Sequence, residues 1–120
     1  MTKLDLEKIE RKKTERKELL QSSLERLLPQ LESMGAVKVV VFGSLADGTI
    51  HSRSDLDILV IMPQERSGRE WSHLIYSKID RAIASDILVF NTVELAEEVK
   101  ANVFLQHVLE GGRSVFEKDS

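Results

Sequence analysis

Between Asp55 and Met62 the chain reads DLDILVIM, two acids on alternate positions running into five consecutive apolar residues that Pro63 then closes. An unbroken apolar run of this length suits a strand covered on both faces. Such a strand needs a layer above it and a layer below it, and the rest of the sequence supplies them. Val37 to Phe42 is a second β-branched run, ending at Gly43-Ser44, and Asp86 to Phe90 is a third. Between the last two strands, Trp71, Leu74, Ile75, Ile79 and Ile83 recur at helical offsets, which predicts a helix over 69–84. Asn91 with Glu94 three residues on forms a capping box, opening a helix expected to run to Glu110 and stop at Gly111-Gly112. Ser114 to Phe116 reads as a short edge strand.

Ahead of the first strand, Leu20, Leu24, Leu27, Leu28, Leu31 and Met34 keep helical spacing from about Leu4 to Met34, with Pro29 expected to kink or restart the helix. Its first half mixes seven basic with five acidic residues between Lys3 and Glu18, and has few apolar ones. That composition reads as a solvated face laced with intrahelical ion pairs, so residues 1–19 are a charged helical extension of one domain spanning 1–120. The order helix, strand, loop, strand, helix, strand, helix predicts an α/β fold, a small mixed sheet flanked by helices.

Topology gathers the polar residues. Two strands joined through a helix pair parallel by default, which puts Asp86 at the sheet edge that carries Asp55 and Asp57. A ten-residue loop between the first two strands permits antiparallel pairing, bringing Gly43-Ser44 to the same edge. Asp55 and Asp57, one residue apart, leave one face of the sheet. Side by side they repel, and oxygen-only ligands select a hard ion, magnesium or manganese. With Asp86 they are expected to form a cage for two ions about 3.5–4 Å apart, the arrangement that clamps attacking and leaving oxygens in phosphoryl and nucleotidyl transfer. Gly43 lets backbone amides approach a phosphate, and Ser44 adds a hydroxyl; the loop from Leu45 to Ser54 is expected to fold as a turn or short helix.

The remaining composition narrows the possibilities. There is no cysteine, so disulfides, thiolate nucleophiles and cysteine-ligated zinc are excluded. His51, His73 and His107, without ligating neighbours, read as structural or exposed. Trp71, Ile75 and Ile79 read as core. A net charge of −3 argues against broad attraction to nucleic acid or anionic lipid. No apolar run approaches the length of a membrane span, and the charged N-terminus is unlike a signal peptide, so a cytoplasmic location is expected.

Gly43-Ser44, ten intervening residues and Asp55-Leu56-Asp57 together resemble the signature of the DNA polymerase β nucleotidyltransferase superfamily, in the spacing of its minimal nucleotidyltransferase branch. The segment VVVFGSLADGTIHSRSDLDILVIM and the ending LEGGRSVFE resemble that branch throughout. The resemblance implies a site of two magnesium ions, or manganese, with Asp55, Asp57 and Asp86 as ligands and catalytic groups, Asp86 also drawing the acceptor proton. It implies Gly43 and Ser44 on the β- and γ-phosphates. Members often carry an arginine where this chain has Asp47, an acid that weakens triphosphate attraction unless Arg53 or another basic residue substitutes. The implied reaction moves a nucleoside monophosphate, AMP from ATP, onto a hydroxyl. The implied acceptor is a tyrosine on a helical HEPN-type toxin, with this chain as antitoxin; a homodimer is compatible. Two other readings stand beside it: transfer to a small molecule such as an aminoglycoside, and a catalytically weak module that neutralises a partner by docking.

Overall fold

The computed structural model describes residues 1–80 and 85–119. Helix α1 spans Lys3–Ser33, opened by a capping box in which the Thr2 side chain accepts from the Asp5 backbone and Asp5 answers to Thr2. Strand β1, Lys38–Phe42, leads into a single helical turn, α2, Ser44–Asp47. Strand β2, Leu56–Met62, is followed by α3, Gly68–Lys78, and by β3, Ser85–Asn91. Helices α4, Thr92–Glu98, and α5, Val103–Gly111, precede β4, Arg113–Glu117. The strands form a mixed sheet of order β3-β2-β1-β4, with β2 parallel to β3 and β1 antiparallel to both β2 and β4. The mixed α/β architecture and the edge position of β4 match expectation.

The pleat sorts the apolar residues into two cores. Ile58, Val60 and Met62 of β2 pack with Val39 and Val41 of β1 against Leu20, Leu24, Leu27 and Leu31 of α1 and Ile75 of α3. Their neighbours Leu59 and Ile61, with Val40, face Leu105 and Val108 of α5 on the opposite side. β2 is thus covered on both faces, as its unbroken apolar run requires. Trp71 packs against the first core and donates its indole N–H to the Pro63 carbonyl at 2.8 Å, and Ile79 is buried in the same cluster.

Leu27 is 1% exposed at the centre of the α1 contact, whereas Leu6 on the same helix is 52% exposed. Truncating the first leaves a cavity; truncating the second leaves water where water already was. Leu27→Ala is expected to lower unfolding free energy by about 2–5 kcal/mol and Leu6→Ala by less than about 0.5 kcal/mol, read as a shift in the urea midpoint.

Three local expectations need correcting. The helix does not restart at Pro29 but runs as one element to Ser33. Proline has no N–H to donate, and buried Leu24, Leu27 and Leu31 pack on both sides of it. Gln30 then anchors the helix, accepting from the Asp80 backbone N–H at 3.0 Å and donating to its carbonyl at 3.2 Å, while Arg26 pairs with the Asp80 carboxylate. The second correction concerns α3, which ends at Lys78, with Ile79 in extended geometry; Ile83 and the rest of the expected helix to 84 lie outside the described residues. The third is that the expected helix from Asn91 to Glu110 is two. Asn91 and Glu94 do form the capping box, but after Val99 the chain turns, and Asn102 restarts it by accepting from the Leu105 N–H at 3.0 Å. The break lets α4 lie along β3 while α5 crosses over β1, which one straight helix would not do.

From Lys3 to Glu15 every residue of α1 is exposed, Leu4, Leu6 and Ile9 included, and the molecule extends 55 Å along its longest axis. The charged extension is solvated, as its composition indicates. No helix among the described residues is long and apolar enough to cross a membrane.

Candidate active site

Sheet register assembles the polar edge. Parallel pairing sets Asp57 of β2 directly beside Asp86 of β3, and antiparallel pairing sets Phe42 of β1 directly beside Asp57 on the other flank. Side chains alternate along a strand, so Asp57 shares its face with Leu59 and Ile61, and Asp86 shares its face with Leu88 and Phe90. All four of those residues belong to the core beneath α5. The two acids therefore stand on one face, at the rim where that apolar layer ends. Asp55 lies two residues ahead of Asp57, just outside β2.

Gly43 follows Phe42 and closes the third side. Its φ of +69° belongs to the left-handed half of backbone space, and a Cβ built there would lie far inside contact distance of Asp57 Oδ2. Glycine at this position is what allows the β1 terminus to lie against the Asp57 carboxylate. Ser44 then opens α2, whose Ala46 and Asp47 N–H groups return to the Gly43 carbonyl at 3.1 and 3.0 Å. The expected short helix in the loop is this turn.

The electrostatics follow from the crowding. Partial burial raises the pKa of Asp57 above the ordinary carboxylate value, and the charges of Asp86 and Asp55 add to the rise. Asp57 thus meets both other acids as a like-charged neighbour. Among the described residues no three acids or histidines gather closely enough to hold a metal. Asp55 has a cationic neighbour as well. Arg16 of α1, with only 20% of its side chain exposed, donates from Nε to the Ser54 carbonyl at 2.7 Å and brings Nη2 to 3.7 Å from Asp55 Oδ1. Ser54 is itself buried, its hydroxyl accepting from the His51 N–H at 2.9 Å. One arginine thereby fixes the turn that delivers Asp55.

Sequence reasoning missed Arg16. It is one of several basic residues in a solvated helix, and its partners lie some forty positions away, so nothing local marks it. Arg53, the expected substitute for triphosphate charge, is exposed, its backbone N–H donating to His51 Nδ1 at 3.2 Å. Asp47 has a structural employment: its Oδ1 accepts from the Thr49 N–H at 2.9 Å and from the Thr49 hydroxyl. These bonds, the hydroxyl first, hold its pKa below the usual carboxylate value. His51, His73 and His107 are all exposed.

Residues 22–109, most of the chain, match the family model described as the nucleotidyltransferase domain. Among solved structures, the crystal structure of a candidate nucleotidyltransferase from Sulfolobus solfataricus superposes with a TM-score of 0.58, covering 84% of this chain and 86% of that one at 18% identity. At that identity the likeness establishes a shared fold. No protein of curated function matches significantly in sequence.

Proposed function

Because the chain belongs to the nucleotidyltransferase domain family and is thereby a transferase of nucleotides, we propose that it moves AMP from ATP onto a tyrosine hydroxyl of a helical HEPN-type partner, with magnesium at the Asp57 edge. The observation that carries the reading is the juxtaposition of Asp57 with Asp86 in register and of Gly43 against the Asp57 carboxylate.

The donor set suits a hard divalent cation. Every candidate ligand is a carboxylate oxygen, and Asp57, whose negative charge is disfavoured by burial and by two acidic neighbours, would gain from a cation beside it. Asp57, Asp86 and Asp55 would hold the metal, with Asp55 released from Arg16 to do so. When bound, the metal supplies charge neutralisation at the phosphates and lowers the pKa of an oxygen it contacts. Phosphate oxygens of the nucleotide lie against the Gly43-Ser44 turn, where the missing Cβ leaves backbone close at hand. The acceptor hydroxyl attacks the α-phosphorus, its proton passes to the Asp86 carboxylate, the bond from the α-phosphorus to the bridging oxygen breaks, and pyrophosphate leaves. Asp86 suits proton acceptance because it is exposed at the rim, where an incoming hydroxyl can reach it.

A protein acceptor is favoured by α1. Its projecting half offers exposed Leu4, Leu6 and Ile9 among charges of both signs, a surface on which a partner can be held while its tyrosine reaches the rim. The test is a pull-down followed by transfer. Partner co-purified with the chain and supplied with magnesium and ATP should retain label carried on the α-phosphate and none carried on the γ-phosphate. Asp55→Ala should lower the rate at least about tenfold, a smaller loss than at Asp57, since Asp55 is exposed and already shared with Arg16. Label retained from the γ-phosphate would show phosphoryl transfer and defeat the proposal; label that reaches no protein at all would remove the tyrosine acceptor.

A further inference from the structure

Asn102 caps α5, so Val103 and Phe104 occupy its first turn, beside the buried Leu105. Phe104 is 57% exposed, although a large aromatic side chain gains more than most from being covered. Its contact is with Phe42: the ring centroids are 5.9 Å apart and the planes cross at 82°, an edge-to-face pair. Phe42 is the residue registered beside Asp57 and joined to Gly43. Phe104 is therefore an open aromatic surface propped on the residue between the candidate phosphate turn and the candidate metal edge.

The ground beside it is hollow. One turn further along α5, His107 lines a cleft of about 230 Å³, whose other walls include Phe42, Gly43, Asp47 and Gly111. α5 thus runs along the rim with an aromatic ring at its start and a groove at its end, and the Gly43 turn forms part of that groove. A flat ring, a glycine turn and a carboxylate edge, in that neighbourhood, match the three chemically distinct parts of a nucleoside triphosphate: base, phosphates and metal.

We propose that Phe104 is the stacking platform for the nucleobase of the donor nucleotide, with the sugar and phosphates crossing the His107 cleft toward Gly43. The inference rests on the nucleotidyl-transfer reading and assigns the part of the substrate which that reading leaves without a partner. Base-on-aromatic stacking depends on the π-face of the base and not on its hydrogen-bonding edge, so the platform holds the base without demanding one identity. Edge-to-face packing on Phe42 fixes the ring in advance, which limits the ordering cost of binding.

The experiment compares magnesium-ATP with magnesium tripolyphosphate, which has the phosphates and no base, by calorimetry on the wild type and on Phe104→Ala, Phe104→Leu and Phe104→Trp. Phe104→Ala and Phe104→Leu are expected to weaken ATP binding roughly tenfold and to leave tripolyphosphate binding unchanged, and Phe104→Trp to hold ATP at least as tightly as the wild type. Leucine keeps the apolar contact with Phe42 but not the ring, so its loss separates stacking from packing. ATP binding unaltered in Phe104→Ala, or ATP and tripolyphosphate weakened by the same factor, would overturn the platform. A wild type that binds neither compound would instead bring down the nucleotidyl-transfer reading, and the platform with it.

Discussion

Asp57→Asn should reduce nucleotide transfer on the order of 10³-fold while making the protein, without divalent ions, more resistant to unfolding. The activity loss follows from position. Asp57 is the central acid of the edge, flanked by Asp86 in register and, just past the end of β1, by Gly43. Metal-assisted charge stabilisation in such transfers amounts to several kcal/mol, and each tenfold in rate is about 1.4 kcal/mol. The stability gain follows from the raised pKa. Burial, then Asp86, then Asp55 disfavour the charged form, so the folded state binds a proton at this carboxyl more readily than the unfolded state does. The cost of the charge is fully present at neutral pH and disappears as pH falls through the raised folded value toward the ordinary one. Wild type should therefore gain on Asp57→Asn as pH is lowered through that window and lag behind it at pH 7. Solvent screening of a partly exposed group keeps the difference to a few degrees in melting temperature at most. Magnesium should reverse the order by stabilising the wild type alone. The checks are steady-state transfer rates and melting curves with chelator and with magnesium. An asparagine variant that transfers within tenfold of wild type, or one that magnesium stabilises as much, would refute the assignment of Asp57.

Gly43→Ala should be costly in both respects at once, which distinguishes it from the acid substitutions. A methyl group at this position meets the Asp57 carboxylate, and φ of +69° is unfavourable for any residue with a Cβ. Strain of this kind costs about 1–3 kcal/mol, and relief requires either the β1 terminus or Asp57 to shift. A displacement near 1 Å at a reacting centre costs roughly 10²-fold in rate. Unfolding by urea and transfer kinetics on one sample are sufficient to test it. Gly48→Ala is the internal control: its φ is also positive, at +81°, but a Cβ there meets nothing within 4 Å. It should lose stability from strain and retain most of its transfer rate, so an activity loss in Gly48→Ala equal to that of Gly43→Ala would mean that backbone strain alone, and not the contact with Asp57, is responsible.

Much of this edge was legible because its signals are short in range or dictated by strand parity. Alternation in DLDILVIM puts Asp57 on the face of Leu59 and Ile61, and a helix between two strands implies the parallel pairing that aligns Asp57 with Asp86. The capping box at Asn91 and Glu94 is satisfied by atoms three residues apart, so it survives any tertiary context. The misreadings have the opposite character. Pro29 breaks helices in isolation, yet here packed leucines and the Gln30 bonds to Asp80 outweigh its lost hydrogen bond. The break between α4 and α5 carries a weak local signal, since Asn102 lacks a glutamate or glutamine three residues on, and what demands it is the need to cover two different strands.

Sequence by itself determined which residues are buried, the order of the strands' pleat and the identity of the acids at the rim, because the period of a strand and the chemistry of a side chain are local properties. Tertiary structure alone decided how those acids stand to one another and to everything else. Arg16 reaches Asp55 and Ser54 from a helix nearly forty residues upstream, and Phe104 reaches Phe42 across more than half the chain. Contacts of that range are set by how the layers pack, since the energy of a charge or a ring depends on neighbours that no local stretch of residues specifies.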